Sequence, residues 1–347
     1  MVIEINRRSA KTRSSILLCV FVSLWLIIFC AGLEAKERTI AILSLSDFRG
    51  EYAFAYRIKN AAKKLHWSAD VLDAKNPAKL KEKKYDFVIN LVPEQYEFPN
   101  CKNYLALFHP EHHFFNEDGS LKNEYLNYDG YLLSYDPNSL SENDFTTTVK
   151  LPYIMWYPTV EFYEYKRVKP SFLFHTGCAW GNRHRLKKFK LFFKLLDNEP
   201  FMRFYGLPEF KDQYPNSYKG QIPYDNNSLN KLAAEAGVSL VLHSDEHNQY
   251  GVPSGRIFEA AAASTVIISD KNSFVMQNFG DSVLYIDVDN SFKSIFKEVK
   301  DHMSWISKNE SLAQKKALQS YSIFKERFLL EDQLIQLEKF HEQLSNN

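Results

Sequence analysis

The stretch from Tyr250 to Asp270 constrains the fold more than any other part of the chain. Pro253, Ser254 and Gly255 punctuate the backbone just before a run of helix formers. Ser254 suits an N-cap, because its hydroxyl accepts from an amide left unpaired in the first turn. Arg256 to Ala263 reads as a helix that ends in four consecutive alanines. Such small side chains let a helix lie close against a sheet. Val266, Ile267 and Ile268 then form a short apolar strand that ends in Ser269 and Asp270. The unit is a loop, a helix start, a tightly packed helix and a buried strand.

Arg256 and Glu259 are three positions apart and share one face near that helix start. Free N–H groups and the positive end of the helix dipole gather there. Gly255 leaves the backbone open to close approach. The Arg256 guanidinium suits a phosphate, and the Glu259 carboxylate suits sugar hydroxyls. Together they read as a cradle for a nucleoside diphosphate. The other reading is an ordinary helix–strand unit with a surface Arg–Glu pair.

Short apolar runs recur along the chain, at 39–44, 69–72, 86–92, 104–108, 130–134, 171–176, 201–206, 239–244 and 283–287. Helical or loop segments separate them, including 52–65, 186–196 and 230–236. This alternation implies α/β architecture with parallel, doubly wound sheets. With 347 residues the chain can build two such domains. The expected division is 1–36 as a leader, 37–165 and 166–310 as two Rossmann-like domains, and 311–347 as C-terminal helices. Residues 152–170, rich in aromatics and bracketed by prolines, read as the crossing between the two. The helices after 312 carry an apolar face, including Leu318, Tyr321, Phe324, Phe328 and Leu329, that suits packing better than a coiled coil.

The leader carries Arg7, Arg8, Lys11 and Arg13, then an uncharged apolar run from Ile16 to Gly32. It reads as a signal anchor or a signal peptide, with the anchor preferred. The positive-inside rule then places the rest of the chain on the non-cytoplasmic side, in a Golgi-like lumen or a bacterial envelope. Charges are balanced, with 43 Lys+Arg against 42 Asp+Glu, which argues against a general nucleic-acid partner. Four cysteines with no metal-type spacing give no metal site. Asp287 and Asp289 form an Asp-x-Asp of the metal-binding type, but it lies after the Arg256–Ala263 helix.

Ligands of open α/β sheets bind beyond the carboxyl ends of the strands. In the first domain that region holds Asp47 and the His109-Pro-Glu-His-His113 cluster. A histidine there can deprotonate a hydroxyl, since its ordinary pKa is close to neutral. Metal binding and a structural or solvated cluster are the alternatives. In the second domain the strand at 171–176 runs into Gly177-Cys-Ala-Trp-Gly-Asn-Arg-His-Arg185, a glycine loop with a basic helix start.

The run Arg256-Ile-Phe-Glu-Ala-Ala-Ala-Ala-Ser264, followed by Thr265-Val-Ile-Ile-Ser-Asp270, resembles the donor segment of GT-B glycosyltransferases. The likeness is to the group-1-like, spore-maturation (CgeB-like) branch. It implies two Rossmann-like domains facing a cleft, with the donor on the second and the acceptor on the first, and C-terminal helices at 311–347 that pack back towards the first. Glu259 is then expected to hold the donor ribose. Ser254, Gly255 and Arg256 are expected at the diphosphate, and His243 at a strand end facing the donor. Gly177 and Arg183, with Arg185 as a weaker match, correspond to the first βα loop of the donor domain. The group-1 pattern carries a second Glu eight residues before Glu259, and here that position is Gly251.

The implied activity is transfer of a sugar from a nucleotide-diphosphate donor to a hydroxyl on a glycan, lipid or protein, with no further cofactor. His109 or Asp47 would serve as base if the reaction inverts. Two rivals stay open: a fucosyltransferase-like GT-B enzyme, whose Glu-Asn-Ser and Thr-Glu-Lys signatures are not seen, and an exported two-lobed sugar-binding protein without catalysis.

Overall fold

The computed structural model describes residues 37–45, 49–76, 83–93, 101–108, 114–116, 118, 120, 122–135, 152–177, 183, 186–223, 225 and 227–346. Arg38–Asn347 falls in one compact unit. The expected leader at 1–36 lies outside the described residues. Among the described residues no helix is long and apolar enough to cross a membrane.

The first half is a sheet of β1 (Thr39–Ser44), β2 (Ser68–Asp73), β3 (Phe87–Asn90), β4 (Lys102–Leu107), β5 (Gly130–Leu133) and β6 (Tyr153–Met155). Its order is β2-β1-β3-β4-β5-β6. Every pairing is parallel. The central strands are buried along their length, as a sheet covered on both faces requires. Helix α1 (Arg49–Lys64) follows β1 and buries Phe54, Ala55, Ile58, Ala61 and Ala62 against it.

The second half is a sheet of β7 (Phe172–Thr176), β8 (Met202–Tyr205), β9 (Gly237–Val241), β10 (Val266–Asp270) and β11 (Leu284–Ile286), in the order β11-β10-β9-β7-β8. It too is parallel throughout. Helices α2 (Lys187–Asp197), α3 (Phe210–Gln213), α4 (Ser228–Ala236), α5 (Asp245–Tyr250), α6 (Gly255–Ala262) and α7 (Ser273–Phe279) lie between its strands. Helices α8 (Phe292–Lys308), α9 (Glu310–Arg327) and α10 (Leu330–Ser345) close the chain.

The expected crossing at 152–170 has two parts. Its start is β6, a three-residue edge strand whose brevity hid it in the sequence. The rest is extended chain that packs instead of lining an open cleft: Trp156, Thr159 and Val160 are fully buried. The helical stretch after 312 is likewise two helices. The break at Phe328–Leu329 contains neither proline nor glycine. Long-range bonds set it: Thr159 Oγ1 donates to Phe328 O at 2.7 Å, and Leu330 N donates to Val160 O at 3.2 Å. Helix α10 then returns to the first half, where Leu330, Leu334, Leu337 and Phe340 join the core of the first sheet. The expected packed face is itself split: Tyr321, Phe324 and Phe328 are buried, whereas Leu318 is 45% exposed.

Candidate functional site

The site is built where the loop between α5 and α6 wedges between the two halves. Val252 is fully buried among Leu105, Leu107, Tyr131 and Leu133 of the first sheet. Two residues on, Ser254 caps α6, its Oγ accepting from Arg256 N at 3.3 Å. Ile257, Phe258, Ala260, Ala261 and Ala262 bury the inner face of α6 with Val241 and Ile267. The helix start is thereby fixed over the carboxyl ends of β7 and β9. A small cleft opens there, lined among others by His175, Leu242, Arg256 and Glu259. Its free volume of about 30 Å³ is room for roughly one water, so a nucleotide requires the cleft to widen.

Glu259 is the centre of this cleft. Its Oε1 lies 2.7 Å from Nη1 of Arg57, which α1 brings across from the first half. Both residues are buried, at 7% exposure each. Its Oε2 is 3.5 Å from Arg256 Nε and has no hydrogen bond. Burial alone would raise the Glu259 carboxyl. Arg57 and Arg256 overcome that and hold it below the ordinary carboxylate range, so it is ionised. Arg256 Nη1 is also buried without a partner. Buried polar atoms are almost always hydrogen-bonded. An acceptor and a cationic donor left open side by side at a helix start suit a ligand that carries both hydroxyl and anion.

At Gly255 a Cβ would stand 2.9 Å from Pro158 O, so its missing side chain makes room for the crossing segment. Gly251, where the group-1 pattern has a second Glu, ends α5 in the left-handed conformation with φ of 64°. Most residues other than glycine are strained there.

Arg183 also differs from the free phosphate-gripping cation expected. It is 5% exposed and its N–H groups are engaged inside the second half. Nη2 reaches Asp270 Oδ2 at 3.2 Å, Nη1 reaches Asp245 Oδ1 at 2.8 Å, and Nε donates to His243 O. Its guanidinium stacks on Phe189 at 4.4 Å. Arg183 is not among the residues lining the cleft. Gly177 ends β7 with its N–H donated to Tyr205 O at 2.9 Å.

His243, expected at the donor, belongs to the same cluster. Its Nδ1 lies 2.7 Å from Asp270 Oδ1, and its backbone N–H donates to the same carboxylate. Its Nε2 is buried without a hydrogen bond. Asn248 Nδ2 completes the ring around Asp270 at 2.8 Å. Burial would raise the Asp270 carboxyl, but His243, Arg183 and Asn248 together hold it low. Asp270, a strand end in the sequence, is therefore the hub that fixes His243 and Arg183.

Sequence reasoning missed three residues near the cleft. Arg57 gave no signal, because its partner lies in the other half. His175 lines the cleft, donates Nδ1 to Leu240 O at 2.9 Å and stacks on Phe193. Burial pushes its pKa down to about 4, so it is neutral near pH 7. Asn230 on α4, between the cleft-lining Leu229 and Ala233, is 5% exposed with neither amide atom bonded. Its polarity on an otherwise apolar helix face was the available signal.

His109, Asp47 and Arg185 lie outside the described residues. Among the described residues no group of three His, Cys, Asp or Glu side chains is placed to hold a metal ion. Asp287 of the Asp-x-Asp accepts from Asp289 N at 3.1 Å and pairs with Lys271 at 2.9 Å.

No family model matches the chain, and no curated protein does. Solved structures do resemble it. Sucrose-phosphate synthase from Thermosynechococcus elongatus aligns with a TM-score of 0.58 at 10% identity, over 89% of this chain and 100% of that one. HepE from Anabaena, in complex with UDP-glucose, aligns at 0.53 and 11% identity over 90% and 100%. The spinosyn forosaminyltransferase SpnP aligns at 0.52 and 10% identity over 88% and 100%. These neighbours are GT-B glycosyltransferases, and the likeness establishes that fold of two parallel-sheet α/β domains for the residues after 36.

Proposed function

We propose that this chain is a glycosyltransferase that moves a sugar from a nucleotide-diphosphate donor to a hydroxyl acceptor, in the manner of the CgeB-like branch. The donor sits on 166–310, the acceptor on 37–165, and the helices of 311–347 tie the two together. The observation that carries this reading is that Oε2 of Glu259 and Nη1 of Arg256 both lack a hydrogen bond, at a helix start lining a small cleft over the carboxyl ends of β7 and β9. The carboxylate suits a ribose diol. The guanidinium and the helix dipole suit the diphosphate, which gains charge as the glycosidic bond breaks. That HepE was solved with UDP-glucose supports a nucleotide-sugar donor of this kind.

The test is calorimetric titration of the full chain with uridine and guanosine diphosphates and with free hexoses. A nucleoside diphosphate is expected to bind, and Glu259→Gln to weaken it by roughly 10- to 100-fold, the worth of a charge-assisted hydrogen bond. Binding of free hexoses alone would identify a carrier instead. The number of chain crossings does not separate these two readings. The chain passes between its halves at 157–171 and again at 328–330, as two-lobed carriers also do.

A further inference from the structure

Arg57 is the point at which the first half of the molecule touches the candidate donor site of the second. One face of α1 carries Arg57, Asn60 and Lys64, spaced by three and four positions. Each holds a different part of the molecule. Arg57 pairs with Glu259 of α6 at 2.7 Å. Asn60 donates to Glu161 of the crossing segment at 3.3 Å. Lys64 pairs with Glu331 of α10 at 3.1 Å. The first contact differs from the others because its acceptor lines the cleft and Arg57 does not.

A carboxylate has two oxygens, and Glu259 uses them differently. Oε1 is fixed by the buried guanidinium, while Oε2 makes no hydrogen bond. Arg57 thus holds the carboxylate ionised together with Arg256, 3.5 Å from Oε2, and fixes the direction in which that second oxygen points. We propose that Arg57 is a positioning residue for donor recognition: it holds Glu259 by one oxygen so that the other receives a ribose hydroxyl. This rests on the glycosyltransferase reading above and goes beyond it. Arg57 and Glu259 lie on opposite halves, so ribose recognition requires α1 to be seated against α6.

The experiment compares uridine diphosphate with its 2′,3′-dideoxy counterpart by calorimetry on the full chain. The wild type is expected to prefer the ribonucleotide by about tenfold or more. In Arg57→Ala the preference falls towards unity while affinity for the dideoxy compound changes less than about threefold. Arg57→Lys, which returns a cation to the same place, restores most of the preference. If the alanine variant does not fold, Arg57→Gln carries the same expectation. An unchanged preference in a folded neutral variant overturns the inference. So does equal loss of both nucleotides, which would place Arg57 at the phosphates or in the fold alone. A wild type that binds neither nucleotide ends the donor reading itself, and the inference with it.

Discussion

Replacing Asp270 with alanine is expected to lower the thermal midpoint by on the order of 10 °C. The carboxylate is fully buried and is shared by His243, Arg183 and Asn248. Taking it away leaves a buried guanidinium without its inner counterion. Its remaining carboxylate partner would be Asp245, whose side chain is 64% exposed. Removing one partner of a buried pair costs about 3–5 kcal/mol. At a few degrees per kcal/mol for a domain of this size, that gives the stated shift. Asp270→Asn keeps the shape and one acceptor, and should fall between alanine and wild type. Circular dichroism melts of the three proteins at pH 7 decide it, and an alanine variant within about a degree of wild type refutes the hub.

The same carboxylate fixes the sign of a pH effect. Asp270 and Glu259 are both held below their ordinary values in the folded protein. Their contribution is complete above the unfolded carboxylate range, about pH 4. It is lost as pH falls further, through the lower folded values. The wild type should therefore begin to lose stability below about pH 6.5, where His175 takes a proton in the unfolded chain but not in the folded one, and lose more below pH 4 as these carboxylates protonate. Asp270→Ala should show a shallower acid decline.

What could be read from the sequence follows from where the physics is local. Nearly every strand of both sheets was visible, because each is a run of apolar residues bounded by turn residues. The start of α6 was visible for the same reason: Ser254 and the alanine run act within one turn. The three-residue β6 was not, since an edge strand that short leaves no periodic trace. The split between α9 and α10 was hidden because hydrogen bonds to Thr159 and Val160 cause it. The candidate site divides in the same way. Arg256 and Glu259 are neighbours on one helix, and their pairing could be read directly. Arg183 showed a charge near a glycine loop, but its engagement with Asp270 and Asp245 depends on strands far apart in sequence. Arg57 was silent for that reason too. Glycine was legible as permissive at Gly255, yet what approaches it is Pro158, which only tertiary structure places there.

A chain that stops after Arg327 is expected not to fold its first half at all. Helix α10 supplies Leu330, Leu334 and Leu337, all fully buried, and Phe340 at 7% exposure to a core whose other members come from residues 40–156. At about 1.5–3 kcal/mol each, these four side chains contribute roughly 6–12 kcal/mol, comparable to the entire stability of an ordinary domain. The polar contacts point the same way. Arg38 is 5% exposed and pairs with Glu338 at 2.9 Å, and Tyr104 shares a hydrogen bond with His341 at 3.0 Å. Truncation would leave the arginine with Asp86 alone of its three carboxylate partners and open the Tyr104 and Trp156 rings to water. The second half keeps α9, whose Tyr321 and Phe324 pack on α6 and α7. The truncated protein should therefore retain a protected fragment from about residue 170 onward in limited trypsin digestion, while 38–156 is cut rapidly. Leu334→Ala in the full chain gives the milder form, a loss of about 2–5 kcal/mol. If the truncated chain resists trypsin throughout and melts where the full one does, α10 is an accessory and the first sheet is stable without it.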